Sequence, residues 1–151
     1  MELTIQYEKD FNSWLMINAS LLREKKFMEI DAENIATELE SMGKRDKREL
    51  ISRFSILITH LLKWKYQSVK RTRGWTNTIS AQRIDINDLF EDSPSLHHNI
   101  HEKINKAYKK ARLMAEDETC GETDIDKEQF PTDCPFTFTE MLNEEFFPEA
   151  S

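Results

Sequence analysis

The sequence predicts an all-α fold, a compact bundle of about five helices followed by an irregular C-terminal segment and a short last helix. Three observations carry that reading. Apolar residues recur at intervals of three and four along most of the chain, as in amphipathic helices. Only 3 glycines and 4 prolines punctuate the 151 residues, too few turn formers for many short strands. Charged residues make up 32% and hydrophobic residues 38%, which suits helices with one buried stripe and broad solvated faces. The length suits a single domain over 1–151, divided into a bundle core at 1–118 and an acidic, aromatic wrap at 119–151.

Each element has its own signal. Tyr7, Phe11, Trp14, Leu15, Asn18, Leu21 and Leu22 mark a first helix of about five turns, with Glu8, Lys9, Asn12 and Ser13 on its opposite face. A break near Lys25–Ile30 leads to Asp31, a good N-cap, and a second helix with Ile35, Leu39 and Met42, which Gly43 ends or bends. The third helix starts at Lys44 or Asp46 and carries the stripe Leu50, Phe54, Leu57, Ile58, Leu61 and Leu62. It is the most apolar element and the expected centre of the bundle, stopped by Arg73 and Gly74. Trp75, Ile79, Ile86, Leu89 and Phe90 suggest a fourth helix. Ser93 and Pro94 then read as a cap and first residue of a fifth, with Leu96, Ile100, Ile104, Ala107, Tyr108, Ala111 and Met114 on its apolar face. After Glu118 the periodicity gives way to acids and turn formers, until Thr137 and Glu140 show capping-box spacing before Met141 and Leu142. Phe130, Phe136, Phe138, Phe146 and Phe147 are too many aromatics for a solvated tail and are expected to dock on the helices.

Composition bounds the function classes. No run of about 18 to 20 apolar residues is present, and Met1–Tyr7 lacks the blocks of a signal peptide, so a soluble, cytoplasmic protein without membrane contact is expected. Two cysteines, Cys120 and Cys134, make neither a disulfide framework nor a four-thiolate zinc site. Reduced thiols are the expectation, with a bridge open in an oxidising setting. The net charge of −7 is segregated. Residues 1–42 have 4 basic and 9 acidic residues, net −5; residues 43–83 have 11 and 2, net +9; residues 84–115 balance; residues 116–151 have 1 and 12, net −11. Either a basic patch meets an anionic partner, or the acidic ends neutralise it internally.

Chemistry has few places to live. His97 and His101 have the i, i+4 spacing of metal ligands, with His98 and Glu102 beside them. No further ligand element accompanies them, so no metal and no cofactor is assigned. His60 borders the most apolar stripe and reads as a satisfied core histidine or as a titratable group tuned by Glu38 or Glu40. Lys63, Lys65, Lys70, Arg71 and Arg73, interleaved with Trp64, Tyr66 and Trp75, form a candidate anion-binding cluster. Its alternative is aromatic bodies in the core with lysine stems lying over them.

Several motifs in order, YEKDFNSWL, ENIATELESMGKRDKRELISR, ITHLLKWKYQ, the spacing of Trp75, Thr78, Ile79, Gln82 and Arg83, LFEDSPSL and FPTDCPFTFTEML, together resemble the bacterial family catalogued as domain of unknown function 29. The resemblance covers about residues 7 to 148 and implies a compact helical fold, with no established activity, cofactor or substrate. By position it singles out Glu38, Glu40, Ser41, Gly43, Arg48, Glu49, Leu50, Arg53, His60, Leu61, Lys63, Trp64, Trp75, Gln82, Arg83, Ser93, Pro94 and Ser95. Of these, Glu38, Arg48, Arg53, His60, Trp75, Gln82 and Arg83 lack a purely local explanation and form the candidate binding or polar-network site. Three functions follow in descending order of support. The first is a noncatalytic module that binds a protein partner or a second copy of itself. Next comes a nucleic-acid binder using the basic aromatic cluster at 53–83, and last a hydrolase or nuclease using Glu38, His60 and Arg83.

Overall fold

Helix formers dominate the sequence from Ala32 onward, and in the computed structural model they run without interruption to Tyr66 as one 35-residue helix, α3. The structure describes residues 2–120 and 130–150, the side chains of residues 119 and 120 excepted. The acidic stretch at 121–129, read as a loop or tail, and the Cys120 thiol lie outside the described residues. Six α-helices and no strand occur among the described residues, so the fold is all-α. The other helices are α1 (Leu3–Lys9), α2 (Phe11–Arg23), α4 (Arg73–Asp92), α5 (Ile100–Cys120) and α6 (Phe138–Leu142).

The chain forms two compact units, Met1–Arg45 and Asp46–Ser151, which meet within α3. In the first unit the expected five-turn helix is two helices. Asp10 leaves helical geometry and accepts a hydrogen bond from the Ser13 N–H, so a side chain that favours caps over helix interiors ends α1 and starts α2. Lys25, in the left-handed region at φ 59°, closes α2: the Lys26 N–H reaches the Leu21 carbonyl and the Lys25 N–H that of Leu22. The buried face of α2 holds Trp14 and Asn18, both tied to the start of α3. Trp14 Nε1 donates to the Asp31 carboxylate at 2.9 Å, and Asn18 Oδ1 accepts from the Asp31 N–H at 2.9 Å. Burial by itself would raise the Asp31 carboxyl, but hydrogen bonds from Asn34 and Trp14 outweigh it and hold the group below its ordinary range.

Gly43 does not end α3, which runs through it, and no neighbour lies within 4 Å of the position its Cβ would take. Beyond it, Leu50, Phe54, Leu57, Ile58, Leu61 and Leu62 are fully buried in the core of the second unit. Each such side chain contributes about 1.5–3 kcal/mol through removal from water. Ile79, Ile86 and Phe90 from α4, Ile104, Ala107, Tyr108, Ala111 and Ala115 from α5, and Phe130, Phe136 and Met141 complete that core. Phe138, Phe146 and Phe147 pack against it.

Helix α3 stops at Tyr66, earlier than the Arg73–Gly74 pair, and a 3-10 turn at Ser68–Lys70 follows. Arg73 and Gly74 instead open α4, because Thr72 is extended and its hydroxyl caps the Trp75 N–H at 3.2 Å. Ser93 makes no side-chain cap. Pro94 starts a 3-10 turn, Pro94–His97, and α5 begins only at Ile100, after Asn99 at φ 52°. The Thr137–Glu140 capping box is formed in full at the start of α6. Gly43→Ala is expected to stabilise the chain by up to about 1 kcal/mol, since alanine gains helix propensity where there is open space. Urea unfolding checks this, with α3 helicity unchanged.

Candidate functional site

The family-like polar residues fall into separate contact groups. Arg53, one turn after Glu49 on α3, forms ion pairs with Glu49 at 3.0 Å and with Asp85 of α4 at 2.8 Å. Its Nη1 also lies 3.5 Å from Gln82 Oε1. This group joins two helices of the second unit through partly exposed charges. Arg48 is exposed, and Glu38, in the first unit, accepts the Tyr7 hydroxyl at 2.6 Å. That hydrogen bond is the main reason the Tyr7 hydroxyl is pushed above its ordinary range.

The second group surrounds the end of α3. Lys63 pairs with Glu118 of α5 at 2.7 Å and places its ammonium 4.7 Å from the Trp75 ring centre. Arg71 donates through Nε to the Trp64 carbonyl at 3.0 Å, satisfying a backbone group in the last turn of α3, and its guanidinium lies 4.6 Å from the Trp64 ring centre. Trp64 also packs on Phe147, and Lys65 Nζ lies 3.4 Å from the Glu149 carbonyl. Arg73 is exposed and Lys70 partly buried with contacts of its own. Lys63 and Arg71 therefore serve contacts within the fold.

His60 is half-buried. Its Nδ1 lies 2.9 Å from the Ile56 carbonyl, which only accepts, so Nδ1 carries the proton. Burial lowers the imidazole below its ordinary value; the Ile56 hydrogen bond opposes this and Lys63 reinforces it.

Arg83 has the most complete environment. It is 1% exposed. Its Nε donates to the Met141 carbonyl at 2.7 Å and Nη2 to that of Phe146 at 2.7 Å, with longer contacts to the carbonyls of Glu144 (3.4 Å) and Glu140 (3.5 Å). The Glu140 and Met141 carbonyls lie in the last turn of α6, where backbone acceptors otherwise lack partners.

The family described as Domain of unknown function DUF29 matches residues 6–147. The chain belongs to that family. Comparison of this DUF29 chain with curated proteins and with solved structures gave no match. Among its described residues, no group of three or more His, Cys, Asp or Glu side chains is arranged to hold a metal ion. His97 and His101 do not share α5: His97 precedes it, with its ring stacked 3.8 Å from the centre of Phe90.

Two features of this DUF29 chain lie outside the family-like positions. In the first unit, Phe11, Leu15 and Leu22 of α2 and Leu39 and Met42 of α3 form apolar stripes that remain exposed, joined by Met16 at 68% and Met28 at 98% exposure. Their helical spacing was legible, and their exposure was not. In the second unit, Lys103 is buried on the core side of α5 between Ile100 and Ala107. A lysine in phase with an apolar stripe was its visible signal.

His60 supplies a test with a definite sign. Its folded-state value lies below the unfolded one, so the folded chain favours neutral imidazole. That stability is present above the ordinary histidine value, about 6.5, and lost as pH falls through the lower folded value. The stability advantage of the wild type over His60→Gln is expected to shrink from about pH 8 to about pH 5 in urea titrations. A difference that stays constant across this range would show that His60 is not desolvated.

Proposed function

We propose that this chain is a noncatalytic protein-interaction module of the bacterial cytoplasm, and that its docking surface is the exposed apolar face of residues 5–42. One observation carries the reading. Among the described residues of this unit Trp14 is the buried apolar side chain, whereas Ile5, Phe11, Leu15, Met16, Ile17, Leu22, Phe27, Met28, Leu39 and Met42 are exposed. So many exposed large apolar side chains in one short segment exceed the scattered single ones ordinary on a protein surface, and such exposure is what a protein interface uses. The residues 1–42 around that surface carry net −5, so the fitting occupant is an amphipathic helix with an apolar stripe and basic flanks.

The internal engagement of Lys63, Arg71 and Trp64 favours this reading over nucleic-acid binding, because a phosphate or base would have to displace their existing partners. Similarly, the carbonyl contacts of Arg83 occupy the donors a hydrolase would direct at substrate. The test compares tagged wild type with Leu15→Glu/Leu39→Glu, whose two positions are exposed. The wild type is expected to hold a protein at constant stoichiometry through stringent washing. The double variant is expected to lose it while retaining its circular dichroism and melting temperature. Light scattering on the purified chain shows whether that protein is a second copy. A monomeric chain whose co-purifying proteins are the same for both forms would overturn the proposal.

A further inference from the structure

Lys47 on α3, Ser95 and His98 in the connection after α4, and Lys103 and Lys106 on α5 line a cavity of about 200 Å3, with Asn99 and Glu102 completing its wall at the start of α5. Lys103 is 8% exposed, and its ammonium donates to the Leu96 carbonyl at 2.7 Å. A lysine ammonium has three donors, and a buried one ordinarily finds a carboxylate. Among the described residues, none lies within 4.0 Å of the ammonium of Lys47, Lys103 or Lys106. Burial pushes Lys103 down from its ordinary value and Lys47 pushes it further, against a weaker opposing influence of Glu102. The fold thus gathers three lysines at a concave site against a single carboxylate, that of Glu102, which pairs with none of them, and leaves a net positive charge to be met from outside.

We propose that this cavity binds a phosphate group, either inorganic phosphate or the phosphate of a small metabolite. A tetrahedral dianion accepts hydrogen bonds from several directions, which matches lysine point charges on two helices better than the planar fork that arginine presents to carboxylates. The cavity also lies at the start of the 21-residue helix α5, whose positive end favours an anion. The volume falls below the roughly 300–1,000 Å3 of pockets for drug-sized ligands, so the fitting ligand is small.

The test is isothermal titration of the full chain at low salt and near-neutral pH with inorganic phosphate and, separately, glycerol 3-phosphate. Saturable one-to-one binding is expected, weakened about tenfold by Lys47→Ala or Lys106→Ala, each removing a charge-assisted contact. Lys109→Ala and Lys110→Ala, exposed positions on α5 outside the cavity, are expected to bind as the wild type does. Tighter binding of glycerol 3-phosphate assigns the site to an organic phosphate, and equal or weaker binding assigns it to the free ion. In a second readout, phosphate is expected to raise the melting temperature of the wild type but not of Lys103→Met. Failure to saturate with either probe, or equal weakening by all four alanine variants, would overturn the proposal; the latter marks diffuse attraction to a basic surface.

Discussion

The second unit depends on a guanidinium buried among backbone carbonyls. Arg83 is carried into the core by α4, and its short contacts to Met141 and Phe146 hold α6 and the residues after it. A buried arginine carries a large desolvation cost, which here pushes it below its ordinary value, and hydrogen bonds to carbonyls offset that cost. The carbonyls gain as well, since three of them lie at or beyond the end of a five-residue helix too short to pair them internally. With the segment held in place, Phe136 and Met141 enter the core and Phe147 reaches Trp64.

The same economy of charge extends along the basic stretch. Lys63 joins α3 to α5 through Glu118 and lies over Trp75, Arg53 joins α3 to α4, and Arg71 closes the end of α3. Part of the net +9 of residues 43–83 is thereby spent on contacts between helices. The apolar face of the first unit and the lysine cavity of the second remain as surfaces that internal packing leaves unused.

Much of the fold was legible because it rests on local or periodic signals. The Leu50–Leu62 stripe, the Asp31 cap and the Thr137–Glu140 capping box each have a mechanism confined to one element. The misread boundaries are those where two local rules compete. Asp10 can ride in a helix or cap one, Gly43 is tolerated inside a strong helix, and Arg73–Gly74 ends nothing because Thr72 caps the helix that follows. The polar residues were identifiable as lacking a local explanation, but their partners were not. Arg83 meets carbonyls 57 to 63 residues away, and Lys63 meets an acid 55 residues away. Neither pairing leaves a trace in spacing. Exposure of the stripes in residues 5–42 was equally hidden, because a helical period marks an apolar face without saying whether the chain itself covers it.

The central claim is that Arg83 anchors the C-terminal segment from inside the core. Amide hydrogen exchange of the wild type and Arg83→Met tests it most directly. Peptides covering residues 136–148 are expected to be protected in the wild type and to exchange freely in the variant, while the core of α3 stays protected. Unchanged protection of residues 136–148 in a folded Arg83→Met chain would contradict the account, showing that the aromatic side chains hold the segment without the guanidinium.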